Sequence, residues 1–133
     1  SEKPLAGMHF LLAEDNELNM EIAEFYLTDL GATVSKAWNG KEALELFEAS
    51  EPESYDVILM DVMMPEMDGH EATQRIRALK RPDTQTVRIV AMTAQTSEDS
   101  IHKCLDAGMD GYIAKPINEE KILSALHKNI ETE

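Results

Sequence analysis

Four apolar residues that end on a carboxylate, Val57-Ile58-Leu59-Met60-Asp61, constrain this chain more than any other stretch of it. The run is too short for a buried helix. Turn signals bound it, Glu51-Pro52-Glu53-Ser54 before and Pro65 with Gly69 after, so it reads as a strand covered on both faces. Such strands belong to parallel sheets, whose strands must be joined by crossover helices. Asp61 then lies at the carboxyl edge, where open α/β sheets bind ligands. Taken alone, Asp61 reads equally well as a cap for the loop that follows.

The rest of the chain supplies the partners that a parallel sheet needs. Met8–Ala13 is a second apolar run, and it too ends on acids, Glu14-Asp15. Asn16 suits a helix N-cap. Leu18, Ile22, Tyr26 and Leu30 recur every four residues with Ala23 and Leu27 beside them, which predicts an amphipathic helix that Gly31 stops. Ala32–Ala37 alternates as a strand, and Asn39-Gly40 opens a helix with Ala43, Leu44 and Phe47 on one face. After the Asp61 strand, Asp68 caps a helix through about Leu79, and Lys80–Thr86 with Pro82 is a polar loop. Val87–Met92 is a fourth strand, ending on Thr93-Ala94. Ser97 caps the next helix, with Glu98 and Asp99 in its first turn, and Gly108 ends it. Gly111–Ala114 is a fifth strand, ending on Lys115-Pro116. Asn118 caps a last helix with Ile122, Ala125, Leu126 and Ile130 along its stripe. Five strands alternating with five helices predict a (βα)5 domain over residues 8–130, with a loose lead-in at 1–7 and a tail at 131–133.

Composition narrows the class. A chain of 133 residues, 43% hydrophobic, suffices for one packed core. Its net charge of −14 repels phosphate backbones, which disfavours direct nucleic-acid binding and suits cations or basic protein surfaces. The single Cys104 permits no internal disulfide and fits a reducing, cytoplasmic setting. No apolar run approaches the ~20 residues needed for membrane insertion, and no signal-peptide pattern is present. The chain opens on Ser1 rather than Met, as a piece of a longer protein would.

In a parallel sheet every strand delivers its carboxyl end to the same edge. Glu14 and Asp15, Asp61, Thr93 and Lys115 therefore gather there, although they are far apart in sequence. Each alone has an ordinary reading: a solvated loop for the acids, a loop cap for Thr93, a surface position for Lys115. Together they make a chemistry. Three crowded carboxylates repel one another unless a proton or a cation intervenes. Hard oxygen donors suit Mg2+, and the lack of a Cys/His cluster argues against zinc. Lys115, the Thr93 hydroxyl and the backbone N–H groups of Thr93 and Ala94 suit phosphoryl oxygens. Asp61 could act as a nucleophile that takes up a phosphoryl group.

These residues resemble the receiver domain of two-component response regulators. Leu11-Leu12-Ala13-Glu14-Asp15-Asn16 is similar to the family's acidic pair, and Met60-Asp61 through Asp68-Gly69 to its phosphoacceptor loop. Met92-Thr93-Ala94 and Lys115-Pro116 are similar to its switch hydroxyl and its lysine. The resemblance implies a flavodoxin-like fold and a phosphoacceptor, not an enzyme, in which Asp61 takes a phosphoryl group from a partner phosphohistidine. It implies Mg2+, with Mn2+ as a substitute, on Glu14, Asp15, Asp61 and the Met63 backbone carbonyl. It implies a cis bond between Lys115 and Pro116, a Thr93 that swings toward the phosphoryl group, and a Tyr112 that turns inward behind it. Met63 and Gln95 occupy the places that tune phosphoryl lifetime, and neither carries a charge that would position water, so self-dephosphorylation should be slow.

The wording around Glu14-Asp15-Asn16 and Met63-Met64-Pro65 looks most like receivers attached to hybrid histidine kinases. The implied partners are a histidine kinase or a histidine-containing phosphotransfer domain docking on helix one, where Met20 and Phe25 are candidate contacts and read equally well as ordinary helix surface or partly buried residues. The chain would then be cytoplasmic, alone or as part of a membrane-bound sensor kinase. A homodimer through helix four, strand five and helix five is also compatible with the resemblance. His9, His70, His102 and His127 sit on different elements, and Cys104 reads as a small core residue. Two other classes compete. A Mg2+-dependent phosphohydrolase with an Asp nucleophile usually carries a second Asp two residues on, but Met63 stands there and cannot transfer a proton. A docking module of the same fold without phosphorylation would not need the acids, Thr93 and Lys115 together.

Overall fold

The computed structural model describes residues 3–127. The elements run β1 (His9–Ala13), α1 (Glu17–Asp29), β2 (Thr33–Ala37), α2 (Gly40–Ala49), β3 (Val57–Asp61), α3 (Gly69–Arg77), β4 (Arg88–Thr93), α4 (Glu98–Ala107), β5 (Gly111–Ala114) and α5 (Glu119–Ala125). All strand pairs are parallel, in the order β2-β1-β3-β4-β5. This is the expected flavodoxin-like (βα)5 architecture. Ile130, the end of the expected domain and the tail at 131–133 lie outside the described residues.

Side-chain alternation divides the strands between two layers. Leu11, Ile58, Met60, Ile89 and Ala91 pack with Phe47, Ala72, Ile76 and Cys104, which puts α2, α3 and α4 on one face. Phe10, Leu12, Leu59, Val90, Met92 and Ile113 pack with Met20, Ala23, Leu27 and Ile122, which puts α1 and α5 on the other. Side chains of Asn16, Asn39, Asp68, Ser97 and Asn118 each accept an N–H from the first turn of the helix they precede. The five caps hold the helix starts on the carboxyl side of the sheet.

Helix α1 turns a different face inward from the one its four-residue spacing predicts. Its core side is Met20, Ala23, Leu27 and Leu30, while Leu18 and Ile22 are exposed and Tyr26 is half-buried. A four-residue step advances 400° around the helix, so the row drifts by about 40° per step. Leu18 thus ends far from Leu30. Met20 is correspondingly not a docking residue: it is 1% exposed and part of the core, whereas Phe25 is 63% exposed.

Two segments outside the strands and helices are tied into the fold. Leu5 is buried, and its N–H donates to the Leu30 carbonyl at 2.8 Å. Helix α3 ends at Arg77 rather than near Leu79, and the connection to β4 folds around two guanidinium groups. Arg77 donates to the carbonyls of Thr84, Val87 and Gly108 and pairs with Asp110 at 2.9 Å. Arg81 pairs with buried Asp83 at 2.7 Å, donates to the Phe47 carbonyl and lies over the Phe47 ring.

Candidate functional site

Strand order places the site. From β1 the chain moves outward to β2, then crosses to β3 on the other side of β1, so the connections leaving β1 and β3 diverge. The crevice between them is where open α/β sheets hold ligands. Glu14 and Asp15 follow β1, and Asp61 is the last residue of β3. Gly69 keeps that corner tight: a Cβ there would run into the Asp61 carbonyl oxygen, and the Gly69 N–H donates to the Val62 carbonyl at 2.9 Å. The start of α3 can therefore lie directly against the end of β3.

One cavity of about 520 Å³ opens at this crevice and is lined by Glu14, Asp15, Asp61, Met63, Thr93, Ala94, Gln95 and Lys115 among others. Asp61 is 3% exposed. The Lys115 ammonium donates to Asp61 Oδ2 at 3.1 Å and to Glu14 Oε1 at 3.4 Å. The remaining oxygens take backbone donors: the Met63 N–H reaches Asp61 Oδ1 at 3.3 Å and the Asn16 N–H reaches Glu14 Oε2 at 3.0 Å. Glu14, Asp15 and Asp61 each offer a carboxylate oxygen within 4.8 Å of the others. Lys115 thus bonds two of these three carboxylates at once.

Burial, with Asp61 beside it, pushes the Glu14 carboxyl up to about 7 against the pull of the Asn16 N–H and Lys115. Burial works against the Lys115 ammonium, but Asp61 and Glu14 outweigh it and hold that group above the usual lysine value.

Thr93 is engaged elsewhere. Its Oγ1 accepts the Gln95 N–H at 3.0 Å and donates to the Gln95 carbonyl at 3.2 Å. Tyr112, on β5, faces outward and is 38% exposed. The Lys115–Pro116 peptide is cis. The topology therefore brings Glu14, Asp15, Asp61, Met63, Thr93, Ala94, Gln95 and Lys115 to one cavity, and leaves Tyr112 outside its lining.

The sequence did not point to the far wall of that cavity. Asn19, Asp68, His70, Ser100, Lys103 and Cys104 line it too. His70 Nε2 lies 3.6 Å from Cys104 Sγ, across the α3–α4 seam, and burial raises the thiol's pKa. Only the packing of two helices creates that pair, and no spacing signals it.

A doubly covered parallel sheet with an acidic crevice at its switch point, an opposing lysine and a nearby hydroxyl defines the class of phosphoryl-receiving signalling domains. The chain belongs to the response regulator receiver domain family, whose profile matches residues 10–127. A probable histidine kinase 2 of Oryza sativa subsp. japonica is 41% identical over 137 residues, covering 95% of this chain. Hybrid signal transduction histidine kinase L of Dictyostelium discoideum is 36% identical over 119 residues, covering 89%. The chain spans only 13% and 7% of those two proteins. Among solved structures, the receiver domain of the sensor histidine kinase PA1611 from Pseudomonas aeruginosa, with a magnesium ion in its active-site cleft, is 37% identical with a TM-score of 0.79. That match covers 90% of this chain and 93% of the other. Chemotaxis protein CheY4 of Vibrio cholerae is 29% identical with a TM-score of 0.81, covering 92% and 98%. This chain is a receiver domain of the two-component phosphorelay type.

Proposed function

We propose that Asp61 accepts a phosphoryl group from a phosphohistidine on a partner protein. The observation that carries this is the position of Asp61: buried at the end of β3, within 3.1 Å of the Lys115 ammonium and ringed by Glu14 and Asp15. An Asp61 oxygen forms a bond to phosphorus as the P–N bond breaks, and the imidazole leaves with the bonding pair. Lys115 then exchanges its carboxylate contact for a phosphoryl oxygen.

The donor set fits Mg2+. Glu14, Asp15 and Asp61 present only oxygens, and among the described residues they are the one group of three or more such side chains close enough to share an ion. These three, with the Met63 backbone carbonyl, would hold it, and Mn2+ would serve in its place. When bound, the ion supplies positive charge that stabilises the transferring group. The residues themselves do the rest. Burial keeps Asp61 poorly hydrated, Lys115 orients it, and the Thr93 hydroxyl and Ala94 N–H lie along the cavity wall.

Thr93 must leave Gln95 to reach a phosphoryl oxygen, and Tyr112 is free to turn into the space that Thr93 vacates. Phosphorylation thereby biases a two-state equilibrium in the face formed by α4, β5 and α5, the surface for output or for a second copy of this chain. The donor docks on α1, where Leu18, Ile22 and Phe25 form an exposed apolar stripe beside the site. A histidine kinase or a histidine-containing phosphotransfer domain fits that role. With Met63 and Gln95 flanking the path of the attacking water, self-dephosphorylation is slow. Among the described residues no helix is long and apolar enough to cross a membrane.

Phosphoramidate, a small P–N donor, tests the reading. After Mg2+-dependent labelling, borohydride reduction should convert the acyl phosphate at residue 61, and only there, to homoserine in a peptide map. Reduction at another carboxylate would contradict the assignment.

A further inference from the structure

Met63 is 74% exposed at the mouth of the cavity, two residues beyond Asp61, and its own N–H donates to Asp61 Oδ1. The other seven methionines are sheltered. Met20, Met60, Met92 and Met109 are buried, Met64 and Met67 pack against one core layer, and Met8 packs against the other. From this contrast we infer that Met63 is an oxidant-responsive residue whose conversion to the sulfoxide shortens the life of the phosphoryl group on Asp61. The inference deepens the phosphoacceptor reading and rests on it.

The chemistry needs a two-electron oxidant of the peroxide class. A sulfur lone pair attacks one peroxide oxygen, the O–O bond breaks, and the departing hydroxide takes a proton to become water. The thioether gains one oxygen and the peroxide is reduced. Exposure and the absence of covering atoms set the order in which methionines react, so Met63 is the first target. The consequence follows from hydrogen-bonding capacity. A thioether is a weak acceptor, whereas a sulfoxide oxygen is a strong one. Met63 and Gln95 line the same cavity, so from there that oxygen can hold a water molecule facing the phosphorus. Water then attacks, the bond from phosphorus to the Asp61 oxygen breaks, Asp61 leaves as a carboxylate, and the water's protons depart with inorganic phosphate. Met63 touches neither reactant covalently; it is a positioning residue that the oxidant turns on.

Graded hydrogen peroxide followed by peptide mass mapping, with phosphoryl half-life measured in Mg2+ buffer on the same samples, tests this. Met63 should take up oxygen before the other methionines, and the half-life should fall severalfold in the parent but not in Met63→Leu. A methionine sulfoxide reductase should restore the long half-life. Met63→Gln, which carries a comparable acceptor, should lose its phosphoryl group faster than Met63→Leu with no oxidant present. Earlier oxidation of Met64 or Met67, an unchanged half-life once Met63 is fully oxidised, or equal rates for the Gln and Leu variants would each overturn the inference. If the untreated protein takes up no phosphoryl group, the phosphoacceptor reading itself fails, and the oxygen map still shows separately whether Met63 is the exposed target.

Discussion

Glu14 is buried beside Asp61, and its carboxyl is pushed from its ordinary value of 4.5 up to about 7. Between those values the folded chain binds more protons than the unfolded one, so without a divalent cation stability falls as pH rises through that window. A cation at Glu14, Asp15 and Asp61 competes with the same proton. Mg2+ binding should therefore tighten between pH 6 and pH 8 and release a proton, as calorimetry in buffers of different ionisation enthalpy would register. Glu14→Gln should weaken binding and flatten that pH dependence; a parent whose affinity does not change with pH would contradict the account. At this scale the sequence was informative for a definite reason. Asp61 and Thr93 end short apolar strands, Glu14, Asp15 and Lys115 follow them, and a parallel sheet collects strand ends. His70, Lys103 and Cys104 reach the same cavity through the contact between α3 and α4, which leaves no mark in local spacing.

At the scale of elements, α1 has one face packed in the core and one exposed. Met20 fills the layer between α1 and the sheet, so Met20→Ala should cost about 3 kcal/mol in urea unfolding. Phe25→Ser lies on the outer stripe, should change stability by no more than about 0.5 kcal/mol, and should slow transfer from a phosphorylated histidine domain. Reversed outcomes would mean that the helix faces the other way. The existence of α1 and its caps was legible in the sequence, but its rotation was not, because a four-residue row in a 13-residue helix fits two faces until the core decides. The α3–β4 connection gives a second case. Composition marks it as a polar loop, yet Asp83 is buried against Arg81 and also accepts the Glu53 N–H at 2.7 Å. Burial raises the Asp83 carboxyl, but Arg81 and that N–H outweigh it and hold the group below 3.8. The pair's contribution is thus present above pH 3.8 and is lost as pH falls through the folded value. Asp83→Asn should cost about 3 kcal/mol near neutral pH and progressively less at lower pH. An equal cost at pH 7 and pH 3 would show that charge is not the cause.

The whole molecule is a scaffold that holds one charged corner. The periodicity of the chain predicts five strands and five helices, but not that β1 lies between β2 and β3; that order places the acidic pair next to Asp61. With a net charge of −14, the chain as a whole favours cations and basic partner surfaces, and the apolar α1 stripe breaks that acidity beside the site. The central claim, that Asp61 receives a phosphoryl group with help from a divalent cation, is tested most directly by intact mass. The protein would be incubated with acetyl phosphate and Mg2+, alongside Asp61→Asn and a chelator-treated sample. One added phosphoryl group on the parent, and none on either control, is the expected result. The same adduct on Asp61→Asn, or an adduct that forms equally well without metal, would contradict the account.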